Sequence, residues 1–223
     1  MSTGGTAEGG STSDEGRPLT RARLVELARH LSARDADLAG VLVSCGPPPL
    51  WSRPAGFGTL VRIILEQQVS LASARAMYER AVARLGEITP RRLARAGEGR
   101  LRAIGFTRQK AAYCCAAARA IEQGDLDLDR LRRAGDDEAR GALRRLKGIG
   151  PWSADIYLLM ALRRPDIWPA GDLAIVAALR RLKRVRGSLP TRRVEAMADD
   201  WRPYRSVAAR MLWQYYLAER RAS

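Results

Sequence analysis

Cysteine is scarce in this sequence: among 223 residues there are only Cys45, Cys114 and Cys115. The adjacent pair would point to different faces of a helix, and no metal-ligand spacing is present. Reduced structural thiols, as in a cytoplasmic protein, are therefore expected. Long apolar runs are also missing. No stretch reaches the roughly 18 residues that a membrane-spanning helix needs. The N-terminal MSTGGTAEGGSTSDEG has neither a basic start nor an apolar core, so it does not read as an export signal. Its glycine, serine and threonine bury too little surface to offset ordering entropy, and residues 1–18 are expected to form a disordered tail. One domain, residues 19–223, follows. Tandem repeats are absent, and so is nearly all the apolar–polar alternation of half-buried strands. Only VLVSC (41–45) fits a strand. Acidic residues are outnumbered, with 24 Asp and Glu against 39 Lys and Arg, a formal charge of +15. Such an excess favours a polyanion, whether DNA, RNA or an anionic membrane surface.

What is present is helical periodicity. Leu71, Ala74, Met77, Ala81, Val82 and Leu85 form an apolar stripe that ends before Gly86. Thr89-Pro90 reads as an N-cap followed by proline at the first helical position. Thr107 can cap RQKAAYCCAAARAIEQ, which stops at Gly124. Asp136 or Asp137 can start a helix carrying Leu143 and Leu146, and Pro151 opens the next one. Further helices are expected over residues 173–183, from Thr191, and from Pro203 through Leu217. The pattern predicts an all-α fold of about ten helices, with Trp51 and Trp168 in the core.

Between two of these helices, LRRLKGIGPWSADIYLL (143–159) places a short glycine turn. Two glycines let the backbone approach a partner without a Cβ in the way. The amides at the start of the second helix are unpaired donors at the positive end of its dipole. Lys147, Gly148, Ile149 and Gly150 thus form a candidate phosphate site, one that carries no sequence information. By itself a G-x-G turn is equally an ordinary helix corner.

LKGIGPWSAD together with RPDIWPAGDLAI (164–175) resembles the helix-hairpin-helix, Gly/Pro-rich loop and aspartate signature of DNA glycosylases. Three more segments are similar to the AlkA-type branch of that superfamily, the 3-methyladenine DNA glycosylase II group: LVRIILEQQVSLASA (60–74), GFTRQKAAYCCAAARAI (105–121) and WRPYRSVAARMLW (201–213). They occur in the family's order. The resemblance implies two lobes, one from the N- and C-terminal helices and a central one over about 72–165, with a groove between them. The β-rich N-terminal lobe of longer relatives has no room here. No cysteine follows Cys115, so the iron–sulfur cluster of some relatives is not expected.

The resemblance assigns Asp172 as the catalytic carboxylate, facing the sugar cation that forms as a glycosidic bond breaks. Read alone, Asp172 is an N-cap. The catalytic lysine of bifunctional members is replaced by Trp152, which leaves water as nucleophile and an abasic site as product. Trp152, Trp213 and Tyr157 are the implied walls of the base pocket, with aromatic faces suited to cationic alkylated bases. Gln67 and Gln68 are implied DNA contacts, with Gln68 at the wedge position that fills the gap left by a flipped base. The carbonyls of Leu146 and Ile149 are implied ligands of a monovalent cation, and no other cofactor is expected. The expectation is a monomeric, cytoplasmic (nucleoid-associated if bacterial) glycosylase acting on damaged double-stranded DNA, with 3-methyladenine and 7-methylguanine as first substrates. Two other readings stay open: a glycosylase for deaminated or oxidised purines, and a non-catalytic DNA-binding module.

Overall fold

Most helix starts are set by a side chain of the residue just before the helix. The computed structural model describes residues 17–222, so nearly all of the expected tail lies outside the described residues. Leu19 is already fully buried, and its amide donates to the carbonyl of Arg163. Thr20 caps α1 (Arg21–Ser32) and Asp35 caps α2 (Ala36–Cys45). A loop leads to α3 (Phe57–Glu66); Ser70 then caps α4 (Leu71–Leu85) and Thr89 caps α5 (Pro90–Ile104). Thr107 caps α6 (Arg108–Glu122) and Asp127 caps the short α7 (Leu128–Arg133). Next come α8 (Asp136–Arg144), α9 (Pro151–Met160) and α10 (Leu173–Leu182), the last capped by Asp172. The chain closes with α11 (Thr191–Asp199) and α12 (Arg205–Ala222). Among the described residues there are twelve helices and no strand, and no helix is long and apolar enough to cross a membrane.

Helices α1, α2, α10 and α12 pack together, while α3 to α6 form a second group, against which α9 packs through α3; α8 packs on α9 and α7. Four local expectations need correction. VLVSC is the end of α2, because Asp35 Oδ1 accepts the amides of Asp37 and Leu38, and Leu38 and Val41 bury one turn apart. Packing against α1 and α12 overrides the β-propensity of its valines. In α4 only Ala74, Met77 and Ala81 are buried, whereas Leu71 and Val82 are exposed. Asp136 starts α8 as expected, but the helix ends at Arg144, so Leu146 lies in the turn beyond it. Pro203 follows a cis peptide bond in a turn, and α12 begins at Arg205.

Arg210, at 0% exposure, is a large charged side chain in the middle of the core. Its Nε donates to the Leu50 carbonyl (2.9 Å), Nη1 to Ser206 (3.0 Å) and Nη2 to Leu159 (2.7 Å). Burial pushes its pKa down to about 9, which still leaves it cationic at neutral pH. The three carbonyls belong to α12, the end of α9 and the loop before α3, so one guanidinium joins three segments distant in sequence. Arg210→Met keeps bulk but leaves the buried Leu50 and Leu159 carbonyls without this donor, each worth about 1–3 kcal/mol. Thermal or urea unfolding is expected to show a loss of about 2 kcal/mol or more.

Candidate functional site

Between the two helix groups lies a cavity of about 440 Å³. Its wall takes Trp152, Ile156 and Met160 from α9, Asp172 and Ala174 from the start of α10, and Trp213 with Tyr216 from α12. Trp51 and Arg53, from the loop before α3, complete it with Glu66 and Leu71. Aromatic and aliphatic carbon dominates, with a few charged groups set among it, the usual make-up of a ligand pocket.

Asp172 is 8% exposed, and every hydrogen-bond partner of its carboxylate is an N–H donor. Oδ1 accepts the amides of Ala174 and Ile175 at 3.0 Å each, and the indole Nε1–H of Trp213 at 3.1 Å. Oδ2 accepts the indole Nε1–H of Trp152 at 2.9 Å. The cap bonds fix the side chain against α10, and the two indoles hold it from α9 and α12. Oδ2 has only one donor and keeps the larger free acceptor capacity. The loop before Asp172 is held in turn. Arg205 grips Asp166 through Nε (2.9 Å) and Nη2 (3.0 Å), and Ser206 Oγ exchanges hydrogen bonds with the backbone of Ile167.

The structure brings Asp172, Trp152 and Trp213 together, as the sequence suggests, but gives the tryptophans a second task. Their N–H edges are spent on the carboxylate while both residues line the cavity. Tyr157 is not in the wall. It is fully buried, and its hydroxyl accepts the Gly56 amide at 3.1 Å, which ties α9 to the start of α3; burial also raises its pKa. Ile156, one turn beyond Trp152, lines the cavity, and Tyr157, one residue further round α9, faces the core. Trp168 is buried against Trp201. Trp51, expected in the core, instead lines the cavity edge-on to Trp213, with ring centroids 6.3 Å apart. Sequence reading missed Trp51, the Arg53–Glu66 ion pair, Tyr216 and Arg220. Only the aromatic residue in a proline-rich loop signalled the first, and nothing local signalled the rest.

At the hairpin, Gln67 is turned inward. Its Nε2 donates to the Gly148 carbonyl (2.8 Å) and to Ser153 Oγ (2.9 Å), so it links the end of α3 to the turn rather than projecting outward. Gln68 is exposed, with a left-handed φ of 56°, and stands at the tip of that loop. Lys110 is buried and donates to the Leu65 carbonyl, which closes the last turn of α3 beneath the loop. Burial lowers its pKa. Lys147 and Gly150 are exposed, while Leu146 and Ile149 are buried and joined by the Ile149 amide donating to the Leu146 carbonyl (3.1 Å). No side chain caps α9, so its first amides are left for an outside acceptor.

The family model described as HhH-GPD superfamily base excision DNA repair protein matches residues 61–203, more than half the chain. The YfjP protein of Bacillus subtilis (strain 168) is 29% identical over 166 residues, which take in 71% of this chain and 58% of that protein. The chain thus spans less than two thirds of that relative. The crystal structure of a DNA-3-methyladenine glycosidase from Bacillus halodurans superimposes with a TM-score of 0.76 at 28% identity, over 86% of this chain and 91% of that one. The 3-methyladenine DNA glycosylase Mag1 of Schizosaccharomyces pombe, solved in complex with abasic DNA, gives 0.78 at 26% identity, over 85% and 95%.

The two hairpin glycines differ in what they tolerate. Gly148 has φ +90°, and a Cβ there would meet the Tyr113 ring at 2.2 Å. Gly150 has φ −83° and open space around the same position. Gly148→Ala is expected to cost at least about 1 kcal/mol from the backbone alone, with the clash added. Gly150→Ala should melt close to wild type. Thermal melts of both variants check the contrast.

Proposed function

This chain belongs to the HhH-GPD superfamily of base excision DNA repair proteins, and from that premise we propose that it is a monofunctional glycosylase excising alkylated bases from DNA. The observation that carries the reading is the Asp172 carboxylate, held by two tryptophan N–H groups in the wall of an aromatic cavity. A base flipped out of the duplex into that cavity brings its sugar to the carboxylate. Departure of the base leaves positive charge on the sugar, and the carboxylate, through the less occupied Oδ2, stabilises that charge and orients water for attack. The caps and indoles fix it beforehand, so little reorganisation accompanies the chemistry.

DNA would be gripped through phosphate at the uncapped start of α9, with Lys147 and the exposed Arg144 and Arg145 adding charge. Gln68 is the residue we assign to the space left by the flipped base. In the same turn the carbonyls of Leu146 and Ile149 are the donors for a monovalent cation. Both are hard oxygen ligands, and Ile149's takes no donor among the described residues. Such an ion would add positive charge beside a bound phosphate.

The alkylated substrate class rests on the cavity's chemistry. N-alkylated purines are cations, good leaving groups, and favoured by aromatic faces and by carboxylate charge. Release of 3-methyladenine and 7-methylguanine from methylated DNA is the direct test, and the same assay on hypoxanthine and 8-oxoguanine duplexes addresses the rival substrate class. A chain that binds DNA and releases no base would be a binding module.

Asp172→Asn is expected to lower single-turnover base release by at least about 100-fold. The amide can cap α10 through its oxygen, but its NH₂ then meets the Trp152 N–H, so the variant loses one hydrogen bond along with the charge. Affinity for duplex should stay near wild type, and near-normal rates would overturn the assignment. Trp152 carries no amine, so borohydride should trap no covalent enzyme–DNA adduct during turnover. A trapped adduct mapped to a lysine of this chain would establish a lyase instead.

A further inference from the structure

We propose that the Arg53–Glu66 ion pair sets the charge preference of the base cavity, with Glu66 cancelling the one guanidinium built into its inner wall. The inference rests on the glycosylase reading above and adds to it a residue pair that determines specificity. Arg53 and Glu66 meet in a two-pronged contact, Nη1 to Oε2 and Nη2 to Oε1, both 2.9 Å. Their side chains are 22% and 15% exposed, so water screens them poorly, and both line the cavity that holds Asp172 and Trp152. The other cavity-lining cation, Arg220, is exposed at the mouth near the Tyr216 ring.

With the pair intact, the inner wall carries one uncompensated charge, the carboxylate of Asp172. A cationic base is then drawn in, and a neutral base of the same shape gains nothing from that charge. Without Glu66 the guanidinium of Arg53 would face the base directly, offset the carboxylate and repel a cation. At a few ångströms in a poorly screened site, one unit of charge is worth about tenfold or more in a rate or equilibrium.

The pair is dispensable for backbone position, which makes this role separable from a structural one. The Arg53 amide donates to the Met160 carbonyl at 2.9 Å, so the loop is fixed to α9 without the side chain. Glu66 ends α3, whose last turn is closed by Lys110 on the Leu65 carbonyl. Removing either charged group therefore changes charge more than shape.

The test measures single-turnover release of cationic 7-methylguanine and neutral hypoxanthine from matched duplexes by wild type, Glu66→Gln, Arg53→Gln and the double variant. Glu66→Gln should depress the ratio of 7-methylguanine to hypoxanthine rates about tenfold or more. The double variant, neutral again, should return that ratio to within about threefold of wild type, the loose additivity expected of coupled neighbours. Parallel losses on both lesions, or a double variant no better than Glu66→Gln, would overturn the proposal and leave the pair as a structural tie. If wild type released neither base, the glycosylase reading would fall while this one stayed open to a binding measurement. Quenching of tryptophan fluorescence by 7-methylguanosine against guanosine should then show the same fall in ratio for Glu66→Gln and its return in the double variant. Unchanged ratios there would overturn it.

Discussion

One buried charge ties together the loop before α3, α9 and α12, three segments that wall the cavity. Among the described residues Arg210 has no carboxylate partner; its guanidinium is satisfied by the carbonyls of Leu50, Ser206 and Leu159. Those carbonyls lie on the three segments that bring Trp51, Trp213 and Trp152 to one cavity. A buried cation without a counter-ion is costly. It is tolerated here because each N–H prong meets a backbone oxygen. The same three bonds that satisfy the charge set the spacing of the loop, α9 and α12. Asp172 can be held by indoles from two helices only if that spacing is kept.

Much of the fold was legible because its signals are local. Thr89-Pro90, Thr107 and Asp172 each stand one residue before a helix, and each caps it through a side-chain oxygen. The glycine turn and the Gly/Pro-rich loop were legible for a similar reason, since backbone geometry at Gly148 (φ +90°) and Gly171 (φ +75°) calls for glycine. VLVSC misled because the packing that makes it helical comes from α12, at the other end of the chain.

The site was legible only in part. Asp172, Trp152 and Trp213 could be named from their surroundings in sequence, but not the bonds among them, which span 20 and 41 positions. Arg53 and Glu66 lie 13 apart in an unremarkable stretch, and only the folded loop turns one onto the other. Tyr157 fell on the core side of α9, since a residue five places on from another is turned well away from it around a helix. Gln67 looked like a group for an outside partner, and the structure spends it inside.

That inward turn of Gln67 has a mechanical consequence. Its amide fastens the loop bearing Gln68 to the Gly148 carbonyl and to Ser153, across the turn that would hold phosphate. If Gln68 is the probe and the turn the phosphate grip, these two bonds tie them together, so neither has to close on the other after contact. On the proposed reading, a duplex passing through the groove meets a fixed finger at a fixed height above each phosphate it slides past. The stiffness being sampled is then that of the DNA, and a weakened base step is found by how readily it yields.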